Sequence, residues 1–258
     1  AATLSTLSVL YLRSGDAPKA FECEQESIGI FRKLGDKVGE AIGLLHLGEI
    51  GVQVADDAQA QAHFEQCLAL ARSIKHQELE SECERNLGEL ALVRGDLQAA
   101  QARFGRSLAV CREAENKRDE AIALWCMGKA SLASGDYSLA ATRFAESLRA
   151  LESFEMNAEA LDCLEDCAIF LHAVGRPEHA VRVQAATTSI RAALALPRAP
   201  RDEAKRQQNI DAARGAVGEV AFSAAWTEGE RWAFDDATEY ALESIASSAT
   251  APAAAVPA

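Results

Sequence analysis

The sequence repeats itself every 40 residues without a gap, and few folds satisfy such a constraint. Ala20, Ala60, Ala100, Ala140 and Ala180 form one invariant column. Ser8, Gly48, Gly88, Gly128 and Ala168 form a column of small residues, preceded by Leu7, Leu47, Leu87, Met127 and Cys167. Gly15, Ala55, Gly95, Gly135 and Gly175 mark a turn, followed by Asp16, Asp56, Asp96, Asp136 and Arg176. Glu24, Phe64, Phe104, Phe144 and Gln184 come next, then Ser27, Cys67, Ser107, Ser147 and Thr187.

Each column has a physical reading. Glycine ends a helix by taking the left-handed conformation, and the Asp behind it caps the next helix. In the last repeat Arg176 replaces that Asp, and Pro177 supplies a good first helical residue. Small residues let two antiparallel helices approach closely. The Phe column supplies a large knob to fill the space between neighbouring repeats, a face that no repeat can bury alone. The polar Glu24 and Gln184 stand where Phe is expected, as suits the outer faces of capping repeats.

These rules predict helix pairs at 2–14 and 17–34, 38–53 and 57–74, 78–94 and 97–114, 118–134 and 137–154, and 158–174 and 177–195. The repeats then span 1–37, 38–77, 78–117, 118–157 and 158–196. Leu196-Pro197-Arg198-Ala199-Pro200 reads as a linker. Helices at 201–214, 217–228 and 235–246 follow, in a capping region over 197–246 that holds Phe222, Trp226, Trp232, Phe234 and Tyr240. The stretch 247–258 is expected to be disordered, being rich in Ser, Ala and Pro.

Composition agrees with an all-α chain: 49% hydrophobic residues and only 6 Pro in 258 residues. The net charge of -13 argues against direct nucleic-acid binding. No apolar run is long enough to span a membrane. Seven Cys with no CxxC pair fit a reducing cytoplasm. The chain opens Ala1-Ala2-Thr3-Leu4, already helical in pattern and without Met, which suggests a piece of a longer protein.

The order Leu47-Gly48, Ala60, Phe64, Cys67, repeated as Leu87-Gly88, Ala100, Phe104, Ser107 and as Met127-Gly128, Ala140, Phe144, Ser147, resembles the tetratricopeptide signature. The usual repeat is about 34 residues long; this one resembles the long-helix variant of bacterial signalling proteins. The resemblance implies a right-handed α-α superhelix of about five helix pairs with a C-terminal helical cap. It also implies a module that binds proteins or peptides and carries out no chemistry.

A second resemblance rests on the tail, Val217-Gly218-Glu219-Val220-Ala221-Phe222-Ser223-Ala224-Ala225-Trp226-Thr227-Glu228-Gly229 and Asp235-Asp236-Ala237-Thr238-Glu239-Tyr240-Ala241. It is similar to the C-terminal end of bacterial signal-transduction ATPases and LuxR-type or winged-helix transcription regulators. This implies a regulatory sensor region of a larger protein. No GxxxxGK phosphate-binding loop followed by Ser or Thr is present, so any NTPase activity would belong to another part of that protein.

In the tetratricopeptide arrangement the first helix of each pair lines the concave face. Carried over position by position, that face comprises Ile42, Leu45, His46, Glu49 and Gln53; Glu82, Arg85, Asn86 and Glu89; Ile122, Trp125, Cys126 and Lys129; and Asp162, Glu165, Asp166 and Ile169. Carboxylates outnumber cations, so a basic or amphipathic protein segment is the expected partner, including another part of the parent chain. Trp125 beside Leu45 is the expected apolar anchor. The alternative reading of each position is a solvated helix face.

Neither metal nor cofactor is expected. His46 with Glu49 lacks a HExxH spacing, and Cys163 with Cys167 falls in a packing column. No spacing suggests a catalytic triad. Asp56-Asp57 and Asp235-Asp236 read as helix caps, and Arg198, Arg201, Lys205 and Arg206 as a solvated face. A homodimer through the aromatic C-terminal helices is the alternative function.

Overall fold

The helix boundaries up to residue 195 follow from one short device used at intervals of 20 residues. The backbone turns left-handed at Gly15, Gly35, Ala55, Lys75, Gly95, Glu115, Gly135, Glu155, Gly175 and Ala195. The residue after each of the first nine turns opens the next helix. Asp16, Asp36, Asp56, Asp96 and Asp136 each accept a hydrogen bond from the backbone N–H three residues on. His76 and Asn116 do the same through Nδ1 and Oδ1. Met156 and Arg176 cap without a side-chain bond.

The computed structural model describes residues 1–196 and 200–249, and among these there are thirteen helices and no strand. They form two compact units that divide between Ala123 and Leu124. The first contains α1 (Ala2–Arg13), α2 (Ala17–Leu34), α3 (Lys37–Gln53), α4 (Asp57–Ile74), α5 (Gln77–Val93) and α6 (Leu97–Glu113). The division falls inside α7 (Lys117–Ala133). The second continues with α8 (Tyr137–Ser153), α9 (Asn157–Ala173), α10 (Pro177–Ala193), α11 (Pro200–Val217), α12 (Glu219–Gly229) and α13 (Phe234–Ala249).

In the first unit α1 to α6 pack in sequence, each against the next. Ala20, Ala60 and Ala100 are completely buried where the helices cross. Phe64 and Phe104 are wholly buried, and their rings press on the bare Cα of Gly48 and Gly88. Phe144 presses likewise on Gly128 in the second unit. The ring column therefore fills a hole inside its own helix pair. Phe144 also meets the next pair edge-on through Phe170, at 6.2 Å between centroids. Each such ring stabilises the stack by about 1.5–3 kcal/mol.

In the second unit α11 and α12 pack on α10, and α13 on α8, α9 and α10. Val181 of α10, Ile210 and Ala213 of α11, and Phe222 and Ala225 of α12 share a core. Gly229 lets α12 approach α10 so closely that a Cβ would lie 2.1 Å from the Arg182 carbonyl oxygen. The tail aromatics pair with one another. Phe222 stacks on Trp226, and Trp232 and His179 both pack on Tyr240.

All three tail helices differ in their bounds from those predicted, α12 starting at Glu219 rather than 217. α11 begins at Pro200 and runs to Val217, where Gly218 at φ 80° breaks it. α13 reaches Ala249, so 247–249 of the predicted tail are helical; Arg176 donates to the Ser247 hydroxyl at 2.7 Å. The remaining predicted tail, 250–258, and positions 197–199 of the predicted linker lie outside the described residues. Among the described residues no helix is long and apolar enough to cross a membrane.

Candidate binding faces

The first helices of the pairs bring the sequence-derived candidates together in two groups, one in each unit. In the first unit His46 and Glu49 on α3 and Glu82 and Arg85 on α5 lie within one another's electrostatic field. All four are half-buried, as are Asn86 and Glu89 on α5. Burial raises the carboxyl of Glu49 above the usual range, with Glu82 nearby adding to the rise. Burial raises Glu82 as well, and Asp119 and Glu78 reinforce it. Arg85 donates to Glu82 at 3.3 Å, while its Nη1 is buried with no hydrogen-bond partner.

One member of this group has no counterpart in the candidate set. Glu24 of α2 is completely buried beneath His46, whose Nδ1 lies 3.3 Å from Oε2. Ser5 donates to its other oxygen at 2.8 Å. The hydrogen bond to Glu24 raises the His46 pKa, against the effect of its own burial. Glu24 does not form a solvated cap; it is a buried carboxyl group held between three helices.

Three candidates change role. Leu45 is 5% exposed and belongs to the core, so it offers no anchor on the surface. Cys126 is buried too. Gln53 is exposed but donates to the Leu12 carbonyl at 3.2 Å, tying α3 to α1. Ile42 is exposed and Ile122 half-buried.

In the second unit the remaining candidates surround a cavity of about 260 Å3. Trp125 and Lys129 come from α7, and Asp162, Glu165, Asp166 and Ile169 from α9. Trp125 Nε1 donates to Asp166 Oδ2 at 2.8 Å, and the Lys129 ammonium sits 5.1 Å above the indole. Arg191, nearly buried on α10, donates to both Asp162 and Glu165. Burial raises Asp162 to about 6, offset by Arg191 and reinforced by Glu165 and Asp166.

The other walls were not foreseen. Gln184 and Thr187 of α10 and Lys205, Arg206 and Asn209 of α11 complete the cavity. Gln184 is 4% exposed, so it too departs from the outward-facing cap predicted for the ring column. Arg206 was expected on a solvated face; it is half-buried and paired with Glu203. Arg198 and the side chain of Arg201 lie outside the described residues. The break in the ring column at 184 was visible in the sequence. Which helix would cover it was not.

A tetratricopeptide-repeat family profile matches residues 1–73. No curated protein matches the sequence significantly. Solved structures similar in fold include BtubC from P. vanneervenii, at 12% identity and TM-score 0.61, covering 94% of this chain and 96% of that one. A Rap protein complexed with Competence and Sporulation Factor aligns at 12% identity and TM-score 0.62, over 95% of this chain and 74% of that one. A Signal Transduction ATPase with Numerous Domains from Pyrococcus horikoshii, carrying a tetratricopeptide repeat sensor, aligns at 15% identity and TM-score 0.61. That alignment covers 94% of this chain but 38% of the ATPase. The fold is therefore all-α and of the tetratricopeptide-like, stacked-hairpin class.

Proposed function

We propose that the chain is a protein- or peptide-interaction module that binds a basic or amphipathic segment through the first helices of its pairs. The observation that carries this reading is the group on α3 and α5. Glu49 and Glu82 are half-buried, close to each other, and raised by burial, so an incoming cation relieves an existing electrostatic cost. His46, Arg85, Asn86 and Glu89 supply further polar groups at partial exposure. The module works by surface complementarity and performs no reaction.

Two similarities in fold extend the reading. One relative is solved with the factor it binds, and another uses a tetratricopeptide repeat sensor within a larger ATPase. The corresponding role here is the regulatory region of a larger signalling or transcription-regulating ATPase, its partner being a separate protein or another segment of the parent chain.

The test is a titration of the chain with labelled amphipathic peptides, one rich in Lys and Leu and one rich in Glu and Leu. The basic peptide should bind more tightly, and more weakly as salt rises. Replacing Glu49 and Glu82 by Gln should weaken it by about 1 kcal/mol or more, roughly fivefold. Equal binding of both peptides, or binding indifferent to the double substitution, overturns the assignment of this face.

A further inference from the structure

The ring column fails at Glu24 and at Gln184, and the second of these borders a cavity. At 64, 104 and 144 a wholly buried Phe occupies the hole left by a glycine. At 184 the residue is Gln, opposite Ala168 in the glycine column. Gln184 is almost completely buried, and its Oε1 has no hydrogen-bond partner. Buried amide oxygens in folded proteins are nearly always matched, so an orphan bordering a cavity points to a missing partner. The cavity it borders holds about 260 Å3. That is below the ~300–1,000 Å3 of a typical drug-sized pocket and closer to the bulk of a single small metabolite.

The charges on the walls are segregated by helix. α9 contributes Asp162, Glu165 and Asp166, the first two bonded to Arg191, whereas α11 contributes Lys205 and Arg206, the latter paired with Glu203; Lys129 of α7 lies over the Trp125 ring. A simple cation would meet the basic wall, and a simple anion the acidic one. A dipolar molecule offsets both. Trp125 offers an indole surface for the nonpolar part of such a ligand.

We propose that this cavity binds a free zwitterion of amino-acid size, its ammonium group facing α9 and the Gln184 carboxamide and its carboxylate facing Lys205 and Arg206. Asp162 is raised to about 6 by burial, and by its acidic neighbours against the opposing Arg191 guanidinium; an ammonium group would relieve that remaining cost. The site is separate from the α3–α5 face, so its ligand is recognised whether or not that face binds peptides.

The test is calorimetric titration of the whole chain with each of the twenty L-amino acids, followed by the N-acetyl and the carboxamide derivatives of any that bind. At least one amino acid should bind with a Kd below about 1 mM, and each derivative should bind about tenfold more weakly or worse. Gln184→Phe restores the column residue and should abolish binding, at some cost in melting temperature because Ala168 carries the Cβ that the glycines facing the other rings lack. Arg206→Ala, in case that variant does not fold, should weaken the amino acid about tenfold and leave its carboxamide unaffected. The proposal is overturned if no amino acid binds, if the blocked derivatives bind equally well, or if a folded Gln184→Phe binds as the parent does. None of these outcomes bears on the basic-peptide titration, which reads a different face and a different ligand.

Discussion

Gly48 and Phe64 are a matched pair: a methyl group on Gly48 would lie 2.3 Å from Cε1 of the Phe64 ring. The ring is completely buried and cannot swing into solvent. Helix propensity alone favours Gly48→Ala by about 1 kcal/mol. Overpacking opposes it by about 1–3 kcal/mol, so the substitution should destabilise the chain on balance. Adding Phe64→Leu should recover part of that loss, because the smaller side chain makes room for the methyl group. Urea midpoints of the two single variants and the double variant provide the check. Additive losses would mean that the ring and the glycine do not share a hole.

His46 and Glu24 predict a pH dependence with a definite sign. The hydrogen bond to Glu24 raises the His46 pKa above its ordinary value of 6.5. A raised histidine stabilises the fold fully below 6.5, and that contribution fades as pH rises through the raised value. His63 and His179 are shifted the other way by burial, so the total pH curve mixes opposite trends. The difference between the parent chain and His46→Gln isolates the pair. The parent's advantage in melting temperature should be larger at about pH 6 than at about pH 8.5. An advantage that stays constant with pH would show that His46 is neutral throughout and that the pair is an ordinary hydrogen bond.

Glu84 occupies a position that holds Leu44, Leu124 and Leu164 in other repeats, and it is just as buried. It accepts from Arg72 at 2.7 Å, Arg103 at 3.0 Å and Arg106 at 3.1 Å. Those arginines are partly exposed and can turn to water; the carboxylate cannot. Removing one arginine should cost under about 1 kcal/mol, since two partners remain. Removing all three strands a buried charge and should cost about 3 kcal/mol or more, exceeding the sum of the single losses. Glu84→Leu restores the column and should fall within about 1 kcal/mol of the parent. Denaturant titrations of the five variants decide the matter. Near-additive arginine losses would mean that Glu84 is solvated after all.

The contrast between Glu84 and Phe64 indicates how much of the molecule could be read from the chain. Alanine, glycine and aspartate columns depend on local backbone geometry, so their spacing alone located ten helices to within a residue or two. The acidic candidates on α3, α5 and α9 came from carrying over the repeat positions that the tetratricopeptide resemblance implies. Leu45 is buried while its neighbour His46 is half-buried, a difference of one residue that carry-over of repeat positions does not resolve. Glu24, Glu84 and Gln184 were harder still. Each puts a polar group into an apolar column, and its meaning depends on partners 12 to 22 residues away or, for Gln184, on an empty space beside it. The basic wall supplied by α11 depends on how the tail folds back on α10, which no repeat column encodes.

The second turn column went unread for a chemical reason, and that reason makes a prediction. Only Gly35 is glycine among Gly35, Lys75, Glu115, Glu155 and Ala195, yet all five have positive φ. A side chain in this conformation costs about 1–2 kcal/mol, of which the greater flexibility of glycine in the unfolded chain returns about 0.5–1 kcal/mol. Substitution to Gly should therefore stabilise each site by up to about 1 kcal/mol. The charges should then set an order among them. Glu115 and Glu155 follow the C-termini of α6 and α8, where the helix dipole disfavours an anion; Lys75 follows α4, where it favours a cation. Glu115→Gly and Glu155→Gly should thus gain more than Lys75→Gly, which gives up a favourable charge. Melting temperatures measured at low and high salt separate the two contributions, because screening acts on the charge and not on the backbone. If Lys75→Gly stabilised as much as Glu115→Gly at low salt, the ordering by helix dipole would be wrong, even with the backbone account intact.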